Sequence, residues 1–181
     1  GNQEGFGSVT IGTQVNTVYT TVDTVSVFPV PQQPEITFTP AQQVCQGDSI
    51  LLSAPVGPYQ YQWLKSGSFQ SDSIAIWVNS SGWYSLNIVD TTYFCSAVSD
   101  SQFVQILNYP LPPVITYNST SGNVQITSNP NNYDVQWYVD GNLVQGETGD
   151  TLPAQGAGPY TAIYSNQGLC ESQLSTEYWL C

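Results

Sequence analysis

The sequence predicts an all-β fold. No stretch sustains apolar residues at the i, i+3, i+4, i+7 spacing that builds an amphipathic helix. Instead, short runs rich in Val, Ile, Thr, Tyr and Trp, many of them alternating with polar residues, are cut by Gly, Pro, Asn and Asp. The organisation follows from a third observation: the chain repeats itself with a period of about 75 residues, which makes two tandem domains.

The elements follow in chain order. Residues 1–33 are too few to bury a core of their own, yet Ser8-Val9-Thr10-Ile11 and Thr20–Phe28 have β character. Thr24-Val25-Ser26-Val27-Phe28-Pro29-Val30-Pro31 resembles Phe103–Pro112, the last strand of the first repeat and the linker after it. Residues 18–30 therefore read as the final strand of a sandwich whose body is missing. The strand belongs to a truncated neighbour in a longer array, or to an adjacent subunit whose open sheet edge it completes, or the segment is a loose tail.

The first repeat, residues 34–109, has Tyr59-Gln60-Tyr61-Gln62-Trp63-Leu64 and Trp83–Val89 as its clearest strands. The prolines of the linker Asn108–Pro113 favour a stiff, extended connection. The second repeat, residues 110–181, has Asp134–Val139 followed by Asp140-Gly141-Asn142, a tight hairpin turn in which Gly supplies positive φ. Four matches carry the repeat: Pro34–Phe38 with Pro113–Tyr117, Tyr61–Gly67 with Val135–Gly141, Ser81–Leu86 with Ala157–Ala162, and Cys95-Ser96-Ala97 with Cys170-Glu171-Ser172. Each copy suits a two-sheet sandwich of short strands, with Trp63 or Trp137 filling the space between the sheets. Sugar stacking is the alternative role for these two indoles.

Composition excludes several functions. One basic residue, Lys65, stands against 13 acidic ones, for a net charge of -12, and the chain has no His. A single cation cannot neutralise a run of phosphates, so nucleic acid is excluded as a partner. The same deficit argues against an anionic membrane surface. No apolar run is long enough to span a bilayer, so membrane insertion is not expected. Without imidazole the chain lacks the commonest general base and zinc ligand, and no cofactor is expected. Asp134, Asp140, Glu147 and Asp150 are the nearest approach to a calcium cluster, but they lack an Asp-x-Asp-x-Asp-Gly loop.

Cys-Gln-Gly-Asp-Ser-Ile-Leu-Leu (45–52), Tyr-Gln-Trp (61–63), Ser-Gly-Trp-Tyr (81–84) and the cysteine at 95 form a pattern. It is similar to that of the immunoglobulin-like repeats of Bacteroidetes secreted surface proteins. Such repeats occur in tandem in large adhesins, including gliding-motility adhesins, and as spacers in type IX-secreted enzymes. The resemblance covers residues 34–181, closely in the first copy and more loosely in the second. It implies two immunoglobulin-like (Ig-like) sandwiches in an extracellular, cell-surface protein without enzymatic activity, the repeat unit of an adhesin or filament. Its partners would be further copies of itself and a glycan or other surface ligand. The alternative is an accessory carbohydrate-binding or secretion-sorting module of a secreted enzyme.

Four cysteines without metal-type spacing fit an oxidising compartment. Cys45 precedes the second strand of the first copy and Cys95 lies near the turn before its last strand, so a Cys45–Cys95 disulfide at one end of that sandwich is expected. Cys170 has no counterpart of Cys45 in its own copy. It pairs with Cys181 only if the final strand bends or is short; otherwise one of the two is free or joins another chain. Asp followed by Ser or Thr and then an aliphatic residue or Thr occurs five times. This resembles the Bacteroidetes O-glycosylation pattern, which would make Thr24, Ser49, Ser73, Thr91 and Thr151 acceptors, although such dipeptides are also ordinary turn residues. Asn79-Ser80-Ser81 and Asn118-Ser119-Thr120 match the N-glycosylation sequon and mark exposed loops. Tyr93, Phe94, Tyr109 and Tyr133 are candidate ligand-stacking aromatics, with partial burial at domain junctions as the alternative.

Overall fold

The computed structural model describes residues 8–12, 22–26 and 30–181. Every regular element among the described residues is a β-strand. Strands β1 (Ser8–Gly12) and β2 (Val22–Ser26) pair antiparallel in a two-stranded sheet of their own, with Thr10 opposite Thr24. The strand expected over 18–30 is thus observed at 22–26. Residues 18–21 and 27–29 lie outside the described residues.

Nine strands follow in the first repeat: β3 (Thr37–Thr39), β4 (Gln43–Cys45), β5 (Ile50–Ser53), β6 (Tyr59–Lys65), β7 (Ser68–Ser71), β8 (Ala75–Val78), β9 (Gly82–Asp90), β10 (Ser96–Val98) and β11 (Gln102–Leu107). They form a three-stranded sheet in the order β3-β5-β8 and a six-stranded sheet in the order β4-β11-β9-β6-β7, with β10 also paired to β9. The second repeat has β12 (Ile115–Asn118), β13 (Asn123–Ile126), β14 (Asp134–Val139), β15 (Asn142–Leu143), β16 (Thr151–Pro153), β17 (Gly158–Asn166), β18 (Cys170–Glu171) and β19 (Tyr178–Leu180). Its sheets run β12-β13-β16 and β15-β14-β17-β18, with β19 also on β17. Apart from β4, which has no counterpart in the second repeat, the two repeats share an Ig-like strand order, β5, β6, β8 and β9 corresponding to β13, β14, β16 and β17. The described residues group into two compact units, one from the described part of 1–37 with 52–76 and 83–102, the other from 38–51, 77–82 and 103–181.

Alternation along the strands explains the cores. In β9, Tyr84, Leu86 and Ile88 are buried while Ser85 and Asn87 between them are only half-buried. In the second repeat Ile115, Val124, Ile126, Val135, Trp137, Leu152, Tyr160, Ala162 and Tyr164 form one apolar cluster drawn from both sheets. Trp63 and Trp137 are completely buried, and hiding so large an apolar side chain stabilises each repeat by about 3 kcal/mol. The indole N–H, which would be costly to bury alone, donates to a backbone carbonyl in both copies: Trp63 Nε1 to Ser73 O and Trp137 Nε1 to Gly149 O, each at 2.8 Å.

The hairpin turns repeat as well. Asp140 and Gly141 take φ of 49° and 74° between paired Val139 and Asn142, and Ser66 and Gly67 take 47° and 81° between Lys65 and Ser68. Two successive positive φ values define a two-residue turn whose twist suits the flanking strands. Tyr160 near the start of β17 donates to Gly156 O and accepts from Gln155 N, both at 2.8 Å, a tyrosine corner. Lys65, the chain's one basic residue, places Nζ 5.5 Å from the centre of the Tyr84 ring.

A further device was not foreseen from the sequence. Buried Ser99 bridges across to β9: its Oγ accepts from Leu86 N at 2.9 Å and donates to Asp100 O at 2.9 Å, while its own N–H donates to Leu86 O. Ser175 accepts from Ala162 N at 3.0 Å in the same way, and Ser172 from Tyr164 N at 2.9 Å. These hydroxyls replace strand-to-strand hydrogen bonds where the last strand of each sandwich is interrupted. The equal 13-residue spacing of Leu86–Ser99 and Ala162–Ser175 is the sequence signal that would have found them.

Candidate functional site

The cysteines do not pair as expected. The disulfide joins Cys45 to Cys170, with Cα atoms 5.6 Å apart and 125 residues of chain between them. Cys95 and Cys181 are free thiols, half-buried and exposed respectively. The expected Cys45–Cys95 bond is corrected by strand geometry. At the start of the nine-residue strand β9, Ser81 Oγ accepts from Ile106 N at 2.8 Å, and the next residue of β11, Leu107, is paired with Cys45. At the other end of β9, Asp90 N donates to Cys95 O at 2.9 Å. Cys45 and Cys95 therefore stand at opposite ends of a strand about 27 Å long, far beyond the reach of a disulfide. Cys170, offered from sequence as unpaired or joined to Cys181, is the partner instead.

The bond sits where the first repeat hands over to the second. Cys45, Leu107 and Cys170 form a small buried apolar cluster. Around it, Gln43 Nε2 donates to Gln167 Oε1 at 3.0 Å, and Asn166 Nδ2 donates to Asn108 O at 3.0 Å. Parallel pairing of β4 with β11 presents Cys45 beside Leu107, and the β17–β18 corner presents Cys170 opposite Asn166. Cys95 occupies the corresponding corner of the first repeat, so the repeat match of Cys95 with Cys170 is structural while the bonding is not.

The linker beside this junction borders a concave site of about 540 Å³. Its floor and walls include Tyr109, Leu111, Pro130, Tyr133 and Tyr164. The rings of Tyr133 and Tyr164 lie 5.5 Å apart, tilted by 48°. Asn129 positions Tyr133 from both sides: Asn129 Oδ1 accepts from Tyr133 N at 2.8 Å and Asn129 Nδ2 donates to Tyr133 O at 2.9 Å. Asn131 Nδ2 donates to the Tyr133 hydroxyl at 2.7 Å. The Tyr164 hydroxyl donates to Ser128 O. Burial, with a smaller contribution from the Asp150 carboxylate, holds the Tyr164 hydroxyl above its ordinary pKa, so it stays protonated and keeps that bond at neutral pH. The site is aromatic and amide-lined, carries no cation, and suits a neutral ligand with apolar faces and hydroxyl edges.

Of the four aromatics picked out from sequence, this site includes Tyr109 and Tyr133, whereas Tyr93 and Phe94 lie on the exposed turn after β9. Among the described residues no three His, Cys, Asp or Glu side chains converge as a metal site. Asp150, from the acidic group of the second repeat, accepts from Asn129 Nδ2 at 2.9 Å. Of the five acceptor candidates, Ser73, Thr91 and Thr151 are exposed and Ser49 is half-buried. Thr24 lies in β2. The Thr91 hydroxyl donates to Pro58 O at 2.9 Å.

No family model matches this chain, and no curated protein matches it. Solved structures to which it is similar include the human OSCAR ligand-binding domain, with 18% sequence identity and a TM-score of 0.40 over 84% of this chain and 100% of that one. Another is the three N-terminal domains of the bacteriophage RB49 Highly Immunogenic Outer Capsid protein (Hoc), at 16% identity and a TM-score of 0.44 over 82% of this chain. Sidekick-1 immunoglobulin domains 1–4 give 15% identity and a TM-score of 0.47 over 99% of this chain. The chain spans 59% of the length of each of the last two. The Ig-like assignment stands on the strand order, buried tryptophans and tyrosine corner described above. The disulfide between the two Ig-like sandwiches fits an oxidising compartment. Among the described residues no helix is long and apolar enough to cross a membrane.

Proposed function

We propose that this chain is a non-enzymatic structural protein of the bacterial cell surface, a repeat unit of an adhesin or filament. It consists of two sandwiches, residues 34–109 and 110–181, preceded by an N-terminal strand segment, residues 1–33. The observation that carries this reading is the disulfide between Cys45 of one repeat and Cys170 of the other, because a covalent tie between successive modules makes a stiff spacer rather than two independent binding heads. The charge balance supports it. With one cation against 13 carboxylates, salt bridges cannot hold copies together, and cohesion must come from apolar cores, backbone ladders and disulfides.

Self-association would proceed by donation of the N-terminal strand to a neighbouring copy. Among the described residues β2 pairs only with β1, and its other edge offers backbone groups that can pair with another sheet. Head-to-tail repetition of such a contact builds an open filament. Negative-stain microscopy of the intact chain and of a variant lacking residues 1–30 tests this. Filaments from the intact chain that persist or strengthen at high salt, and folded monomers from the deletion, are expected; unchanged filaments from the deletion would contradict the reading. In the native protein, an intact mass above 19.7 kDa by glycan increments is expected if Thr24, Ser49, Ser73, Thr91 or Thr151 is modified.

A second reading, an accessory carbohydrate-binding module, is favoured by the site at Tyr109 and Tyr133. Glycan-array binding that disappears in Tyr133→Ala would support it, and an array without signal would remove it.

A further inference from the structure

Among the described residues, the buried apolar side chains other than Pro34, Val44 and the two bonded cysteines all lie between Cys45 and Cys170. That interval contains Trp63, Tyr84, Leu86 and Val104 of the first repeat, Trp137, Leu152, Tyr160 and Tyr164 of the second, and the whole linker. The disulfide closes it into one covalent loop. A pull on the chain from both sides therefore enters at Cys45, crosses the sulfur–sulfur bond and leaves at Cys170. The backbone from 46 to 169 carries none of the load.

We propose that the Cys45–Cys170 bond is a force bypass that makes the two repeats and their linker inextensible together. Only the strands outside the loop, β1 to β4 on one side and β18 and β19 on the other, can be peeled away by tension. Residues 46–169 cannot be drawn out even at loads that would unravel an uncrosslinked Ig-like module, and the linker site lies within that span. A disulfide from Cys45 to Cys95 would have protected one repeat and left the other to unravel. The bypass depends on connectivity alone, so it holds whether or not the chain polymerises and whatever the linker site binds.

Single-molecule stretching of the full chain between handles fused to its two ends tests the proposal. The oxidised chain is expected to lengthen only through residues outside the loop. Adding dithiothreitol at constant force is then expected to release about 43 nm, the extended length of the 125-residue span. A Cys45→Ser, Cys170→Ser variant that folds is expected to give the same total length without reductant. If that variant does not fold, the oxidised and reduced wild-type traces decide alone. Release of about 43 nm before reduction would overturn the proposal. So would a reduction step of only about 17 nm, the length of a loop closed at Cys95.

Discussion

The two repeats use the same parts and differ at one corner. Trp63 and Trp137 are both fully buried and both donate to a carbonyl at 2.8 Å. Ser66-Gly67 and Asp140-Gly141 make the same turn, and Ser99 and Ser175 make the same bridge to the preceding long strand. At the corner before the last strand each has a cysteine, yet Cys95 is a free thiol and Cys170 is bonded and fully buried. Local sequence sets the corner, whereas the neighbour brought to it sets the chemistry. The second repeat's corner meets Cys45 at the exit of the first repeat. The strands differ in the same direction. In β17 both faces are covered, with Thr161 and Ile163 buried beside Tyr160, Ala162 and Tyr164, while Ser85 and Asn87 of β9 are half-buried.

The largest difference between the two corners should appear when their cysteines are replaced. The Cys45→Ser, Cys170→Ser variant is expected to lose about 5 kcal/mol by the loop-entropy model for a loop of 125 residues. Cys95→Ser should change stability by less than about 0.5 kcal/mol. Denaturant titration under non-reducing conditions measures both, and equal effects would break the contrast. Next in size, Trp63→Ala and Trp137→Ala are each expected to cost about 3–5 kcal/mol, since each leaves a cavity and an unpaired carbonyl. A much smaller loss at either position would show that its core is not the tryptophan-centred one described.

The serine bridges should behave alike: Ser99→Ala and Ser175→Ala each leave a strand N–H without its acceptor, at about 1–2 kcal/mol. Amide exchange at Leu86 and Ala162, faster in the respective variant, would locate the effect. A smaller effect belongs to the second repeat alone. Tyr164→Phe removes the bond to Ser128 O, at about 1 kcal/mol. The folded-state pKa of Tyr164 is raised. The folded protein therefore holds this proton where the unfolded chain releases it, and stability falls as pH rises past the ordinary tyrosine range. Thermal melts across that alkaline range should show the decline in wild type and a shallower one in Tyr164→Phe.

Much of this was legible because it is written locally. Alternation of Tyr, Gln and Trp over 59–64, the Asp140-Gly141 turn and the match of Ser81–Leu86 with Ala157–Ala162 each declare themselves within a few residues. The disulfide did not, because pairing depends on which end of β9 Cys45 reaches, and that is fixed by the parallel register of β4 on β11. No feature of residues 43–45 alone encodes a parallel partner 62 residues later. The aromatic site was half legible. Tyr109 and Tyr133 were picked out for exposure, while Tyr164, the ring beneath Tyr133, looks in sequence like any other alternating strand residue.

One bond, Cys45–Cys170, joins the two repeats, and non-reducing peptide mapping reads it directly. Pepsin digestion at low pH, where thiols do not exchange, followed by mass spectrometry is expected to find Cys45 and Cys170 in one disulfide-linked peptide pair, with Cys95 and Cys181 as free thiols. A peptide pair linking Cys45 to Cys95 would contradict it.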